Sequence, residues 1–261
     1  GDLVGAEAAV RQALALRQTY AGALCTLGLI RHDRAAYDEA LALYDQALAL
    51  EPNLAAVRAN RATLLLLLGR LEEGFREYEW RWRTSGFTTP RRNFAAPLWD
   101  GQPLEKQTIL VHAEQGLGSA IQFVRYVPLV ATMAGKVVLE AQPPLTRLFA
   151  SLARPEGAAP ITVLAKGMPL PDAAVQVPLM SLPRLFGTTL ETVPNAVPYL
   201  AADAALRATW RARLDQACGP RPRPRVGLVW AGNPNHHNDR NRSIPAMALA
   251  PLLALSDLAF I

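Results

Sequence analysis

The chain has 261 residues, 51% of them hydrophobic and 19% charged, a composition that buries a real core and excludes wholesale disorder. No apolar run approaches the roughly 18–20 residues of a membrane span, and two cysteines, Cys25 and Cys218, cannot form a disulfide framework and fit a reducing compartment. The net charge of +5 is spread unevenly, −1 over residues 1–88, +2 over 89–202 and +4 over 203–261, and 24 of the 27 basic residues are Arg. An arginine-rich surface accounts for this. The basic stretch Arg221–Arg225 has no interleaved aromatics for stacking on bases, so nucleic acid is not an expected partner.

Gly1–Val10 contains Asp2 and Glu7 and lacks an apolar core, so it does not read as a signal peptide, and a cytoplasmic location is expected. The chain opens on Gly1 rather than Met and closes on the apolar Asp257–Ile261, which suggests a piece of a longer protein. A frame of about 34 residues starting at Ala21 organises the first third. It places Leu24, Leu27, Gly28, Ala40, Tyr44, Ala47 and Pro52 at the positions of the tetratricopeptide repeat, with Arg31 where an aromatic is usual. Gly28 and Ala40 are small where two helices touch, Tyr44 fills the next gap and Pro52 stops the second helix. The frame extends downstream through Gly74 and Tyr78, and upstream it makes residues 1–20 the second helix of a repeat. Beyond Tyr78 it decays into Glu79-Trp-Arg-Trp-Arg83. Phe75, Trp80 and Trp82 are expected to cap the array by packing on the next domain.

Thr84 to Gly101 holds two prolines and no helical period, so it reads as an extended connector. Short apolar runs then alternate with helical patterns. Strands are expected at Thr108–His112, Lys136–Glu140, Ile161–Leu164 and Ala173–Val177. Helical patterns run from Ile121 through Val130, interrupted or ended by Pro128, from Pro143 to Leu152, and from the cap Asp203 to about Ala217. This alternation implies right-handed crossovers and a mostly parallel sheet. After Arg221–Arg225, a fresh buried strand is expected at Val226–Trp230, then a polar loop, then a helix from about Ala246 to Leu255.

Three loops carry candidate chemistry. His112-Ala-Glu-Gln-Gly-Leu-Gly-Ser119 lies between a strand and a helix, where open α/β sheets bind ligands. Gly116 and Gly118 let a backbone approach a substrate, and His112, Glu114 and Gln115 cluster beside the turn. Trp230-Ala-Gly-Asn-Pro-Asn-His-His-Asn-Asp-Arg-Asn-Arg-Ser243 also follows a strand, and Gly232, Asn233, Arg240, Arg242 and Ser243 could hold a diphosphate. His236 and His237 have no nearby Cys or His partners, so no metal is expected, and nothing calls for a cofactor. Thr188 and Thr189, in Phe186-Gly-Thr-Thr-Leu-Glu191, could line an acceptor cleft. No G-x-S-x-G, Walker loop or zinc spacing anchors hydrolase, P-loop or metalloenzyme chemistry.

Several stretches together resemble bacterial tetratricopeptide proteins with a glycosyltransferase-like region related to the heptosyltransferases. They are Ile109–Gly118, Gln122–Pro128, Val138–Leu145, Phe186–Glu191 and Val226–Pro234. The resemblance implies two facing Rossmann lobes, the GT-B architecture, with acceptor on the first and nucleotide-sugar donor on the second. O-linked N-acetylglucosamine transferases are similar in joining such repeats to this architecture. Under it, residues 1–88 are a half repeat plus two, 89–107 a linker, 108–220 the first lobe and 221–261 the beginning of the donor lobe. Ser119 stands where the family pattern carries an Asp that can act as general base, and a serine hydroxyl cannot take a proton as a carboxylate does. His112 and Glu114 are the candidates to replace it. The expected function is sugar transfer from a nucleotide sugar, with the repeats recruiting the acceptor or a partner protein. The alternative is a non-catalytic module whose repeats grip a protein or peptide.

Overall fold

The computed structural model describes residues 2–218, 223–235 and 239–261, with only the backbone of Arg240. The chain divides into two compact units, Gly1–Ala201 and Ala202–Ile261. The helical repeats and the parallel sheet share the first unit. The division falls ahead of the boundary at residue 220 expected from sequence, so the helix capped by Asp203 groups with the residues C-terminal to it.

Five helices form the repeats: α1 (Leu3–Leu16), α2 (Ala21–Asp33), α3 (Tyr37–Leu50), α4 (Ala55–Leu67) and α5 (Leu71–Tyr78). Ala40, Tyr44 and Ala47 recur at helical spacing on one face of α3, and all three are fully buried. A Cβ placed on Gly28 would sit 2.6 Å from the Tyr44 ring, so glycine is what lets α2 and α3 close on each other. Gly69, at φ +78°, turns the chain between α4 and α5 in the left-handed region. Arg31, the residue in the aromatic's place, works as a clasp. Its guanidinium reaches Glu7 of α1 at 2.8 Å and Glu39 of α3 at 2.7 Å, joining the half repeat to the full one by charge instead of ring packing.

Four parallel strands follow: β1 (Thr108–His112), β2 (Lys136–Ala141), β3 (Ile161–Ala165) and β4 (Val175–Pro178), in the order β3-β2-β1-β4. Ile109, Val111, Val137, Leu139 and Val177 bury their side chains against helices that cover the sheet. The helical pattern after β1 breaks into α6 (Leu117–Phe123), a 3-10 turn at Val124–Tyr126 and α7 (Val127–Ala131). Pro128 falls in the first turn of α7, where its missing N–H costs nothing. The helix expected from Pro143 to Leu152 is shorter, a 3-10 turn at Pro143–Leu145 followed by α8 (Thr146–Phe149). After β4 comes a short α9 (Leu182–Leu185).

The array meets the sheet through its last helix. Phe75 is buried edge-on to Phe123 of α6, with centroids 6.0 Å apart, as its expected capping role requires. Trp80 does not join that core. It lies instead between the guanidinium groups of Arg58 and Arg83, 4.7 and 4.4 Å from its ring. The connector is extended but bound: Trp99 N donates to Gln176 O and Gln176 N to Pro97 O, both at 2.8 Å, adding a parallel bridge to the edge of β4.

In the second unit, Asp203 caps α10 (Ala204–Cys218), its Oδ1 accepting from Leu206 N at 2.9 Å. The buried strand expected over Val226–Trp230 is corrected. Only β5 (Arg225–Val226) is strand, paired in parallel with β6 (Ala259–Phe260) in a separate two-stranded sheet. The ladder ends where Ile261 exchanges bonds with Val226 and Leu228, and Val229, past that point, is 95% exposed. The helix after the polar loop is likewise shorter than expected, a 3-10 turn at Ala246–Leu249 and then α11 (Ala250–Leu253), the break falling just before Pro251. Among the described residues no helix is long and apolar enough to cross a membrane.

Replacing Gly28 with Ala is expected to destabilise the protein by about 1–3 kcal/mol, because the added methyl must displace a buried ring. Thermal unfolding of the variant measures this, and an unchanged midpoint would show that α2 and α3 can separate without loss.

Candidate functional site

The carboxyl end of β1 delivers His112 and Glu114 into a polar layer beneath the repeats. Glu114 is 2% exposed and does not stand alone there. Arg81, from the 3-10 turn Glu79–Arg83 that ends the array, is equally buried. It places Nε and Nη2 3.1 and 2.7 Å from Glu114 Oε1. Nη2 also donates to Ser181 Oγ at 2.9 Å, and Nη1 to Glu79 Oε1 at 2.8 Å and to the Tyr78 carbonyl at 3.1 Å. Ser181 Oγ closes the circuit by donating to Glu79 Oε2 at 3.1 Å. The rings of Tyr78 and Trp82 lie 4.9 and 5.0 Å from the guanidinium. Glu114 Oε2 is buried with no protein partner. Burial pushes the Glu114 carboxyl up to about 7, with Arg81 pulling the other way.

His112 sits opposite Glu140 of β2 and Pro178 of β4 in the sheet register. Its Nε2 is 2.9 Å from Gln176 Oε1, and Phe94 of the connector lies over the ring at 4.8 Å. Because an amide oxygen only accepts, Nε2 carries the proton. Burial holds this imidazole down to about 4, so it is neutral around pH 7. Glu140, buried beside it, is ion-paired with Arg92 of the connector.

Gln115 is the residue on which the loop turns. It adopts φ +59°, the left-handed region that a non-glycine residue enters at a cost. Three groups from three places hold it: Thr89 Oγ1 accepts from its backbone N at 3.0 Å, Gln142 donates to its carbonyl at 3.1 Å, and its side-chain amide donates to Tyr78 OH at 2.7 Å. Gly116, Gly118 and Ser119 come next, at the start of α6. A Cβ on either glycine would meet nothing within 4 Å, so neither is glycine for packing reasons. Ser119 is half-buried there.

Thr188 and Thr189 lie apart from these residues. Thr188 is buried, and Thr189 bonds Glu191 and lines an open depression with Gly69, Leu71 and Arg76 of the repeats. In the second unit, Gly232, Arg242 and Ser243 are brought together, but the Gly232 N–H is already engaged. It donates to Ser243 Oγ at 3.0 Å, and Ser243 donates in turn to Asp239 Oδ1 at 2.7 Å. Asn233 folds onto its own loop, its Oδ1 accepting from Asn235 N at 3.0 Å. The side chain of Arg240, with His236 and His237, lies outside the described residues. No group of metal ligands occurs among the described residues.

Arg81 and Gln176 carry much of this geometry and were not singled out by sequence, and Tyr78 was read only as a repeat position. The available signals were a buried-type polar residue inside the strand pattern at Gln176, and an arginine flanked by two tryptophans at Arg81.

The described geometry defines an α/β protein whose helical repeats are built into its parallel sheet. No family model matches the chain. It is 30% identical over 185 residues to Protein FlbA of Caulobacter vibrioides, a stretch covering 65% of this chain but 30% of FlbA. The chain thus spans under a third of that relative's length. Among solved structures, a point mutant of the Thermobaculum terrenum O-GlcNAc transferase is similar at 17% identity and a TM-score of 0.29, over 63% of this chain and 38% of that one.

Removing Glu114 alone leaves Arg81 buried without its main counter-charge, so Glu114→Ala is expected to cost about 3–5 kcal/mol. Changing both Arg81 and Glu114 to Met should recover much of that loss, and urea denaturation of the three proteins measures it. The two perturbed groups oppose each other with pH. Glu114, raised from 4.5 to about 7, contributes stability that is present at acid pH and lost as pH rises through 7. His112, lowered from 6.5 to about 4, contributes stability present above 6.5 and lost as pH falls toward 4. In His112→Gln the acid-side loss should shrink, seen as a flatter dependence of the urea midpoint between pH 6.5 and 4.

Proposed function

We propose that this chain works in sugar transfer, from a nucleotide-activated donor to an acceptor hydroxyl, with the repeats recruiting the acceptor or a partner protein. The observation that carries this reading is the Gln115–Ser119 loop. It stands at the carboxyl edge of a parallel sheet and is pinned by Tyr78 of the repeats. A partner held by the array would therefore be held against the same element that presents the loop. Ser119 cannot serve as base, and His112, kept neutral but weakly basic, is poorly suited. Glu114 is the better match in pKa, near 7, and one of its carboxyl oxygens has no partner, but at 2% exposure it can take a hydroxyl proton, as the acceptor oxygen attacks the sugar and the diphosphate leaves, only where acceptor binding opens the loop above it.

A second reading, a non-catalytic module that binds a protein or peptide on its repeats, draws on two observations. Ser119 replaces the carboxylate expected of a transferase, and the Gly232 N–H is turned inward instead of being free for a phosphate.

Calorimetric titration of the full-length protein with common nucleotide sugars separates the two. Saturable heat is expected for the transferase, and a folded protein that takes up none of them would favour the module. Ser119→Asp is further expected to raise transfer, and no gain would place the base elsewhere than position 119.

A further inference from the structure

A pocket of about 230 Å³ opens at the carboxyl ends of β1 and β4, under the connector. In the order β3-β2-β1-β4 the winding of the chain reverses between β1 and β4. The crevice outside the strand ends at such a reversal is where open α/β sheets take ligands. His112 and Gln176 form its polar base, Trp82 and Phe94 are its aromatic lining, and Arg91 and Arg92 are its cations.

We infer that this pocket binds a monosaccharide carrying one acidic group. Size comes first, since the volume lies below the range of about 300–1,000 Å³ that holds drug-sized ligands, leaving room for a single ring. The lining offers aromatic surface for one apolar face: Trp82 and Phe94 border the pocket, with the Arg92 guanidinium 4.4 Å from the Phe94 ring and that ring 4.8 Å from the imidazole. The base suits hydroxyls. With Nε2–H committed to Gln176 Oε1, His112 retains an acceptor at Nδ1 and Gln176 a donor in its amide NH2, a pair that matches a group both giving and receiving a hydrogen bond. Charge supplies the last requirement. Glu79 shares Arg81 with the buried Glu114, and Arg92 is paired with Glu140, whereas Arg91 is exposed and has no ion-pair partner among the described residues. Arg91 is the lining cation without an ion-pair partner, and a carboxylate or phosphate on the sugar is its complement.

The test uses the full-length protein and its Arg91→Gln variant, both titrated calorimetrically with D-glucuronate, D-glucose, benzoate and inorganic phosphate. Arg91 is exposed, so the variant should melt as the parent does. Glucuronate is expected to bind saturably, glucose at least about tenfold more weakly, and the variant to lose about tenfold for glucuronate alone. Lack of saturable glucuronate binding would overturn the inference. So would benzoate or phosphate binding as tightly as glucuronate, or a variant with unchanged affinity. The pocket does not rest on sugar transfer: glucuronate binding in a protein indifferent to nucleotide sugars would keep the pocket and remove the transferase, and the opposite pattern would do the reverse.

Discussion

A charge buried on both sides of a seam governs this molecule. Arg81 belongs by sequence to the end of a helical array and Glu114 to the end of a β-strand, yet neither is accessible to water. Desolvating both is expensive, and their attraction recovers part of that cost only while the geometry holds. The seam therefore has little freedom to slide or open by degrees. Ser181, arriving from the turn after β4, and Glu79 share the remaining donors, so three separated stretches of chain must assemble together. An apolar seam would tolerate small adjustments that this one does not. The T-shaped contact of Phe75 with Phe123 adds adhesion beside it without the same directional demand.

From that fixed seam the geometry of the loop is determined. Tyr78 precedes Arg81 by less than one helical turn and bonds Gln115, the next residue after Glu114. The left-handed backbone at Gln115 is retained because Tyr78, Thr89 and Gln142 each hold a different atom of it. A ligand on the repeats that moved the end of α5 would act directly on this residue, a route of contacts short enough to name atom by atom.

How much of this was legible beforehand depended on whether a residue's role is local. The contact of Gly28 with Tyr44 repeats a local pattern, so spacing alone exposed it, and the four parallel strands announced themselves as apolar runs bounded by turns. Asp203 was readable as a cap because capping is decided within one turn. Arg81 was not readable, since its partner lies 33 residues away and 24 arginines looked like composition. The same holds for Gln176, whose value comes from reaching His112 diagonally from the neighbouring strand. The error at Val226–Trp230 has a different origin: an apolar run stays a buried strand only where neighbouring chain pairs with it and covers it, and β6 pairs with no more than Arg225 and Val226, leaving Val229 exposed. Composition cannot count neighbours. Thr188 and Thr189 read as the lining of an acceptor cleft because their polar loop follows a strand, whereas the fold sends Thr189 toward the repeats.

The connector between the array and β1 has a consequence for how such a chain can be rearranged. Its Thr89 braces the loop, its Arg92 neutralises Glu140, its Phe94 covers His112 and its Leu98 continues the sheet at β4. A graft that joined a foreign array at Thr108 would strip the sheet of these four services and leave the buried Glu140 without its ion-pair partner. Modular though the chain looks when written as letters, array, connector and sheet can be transplanted only as one piece.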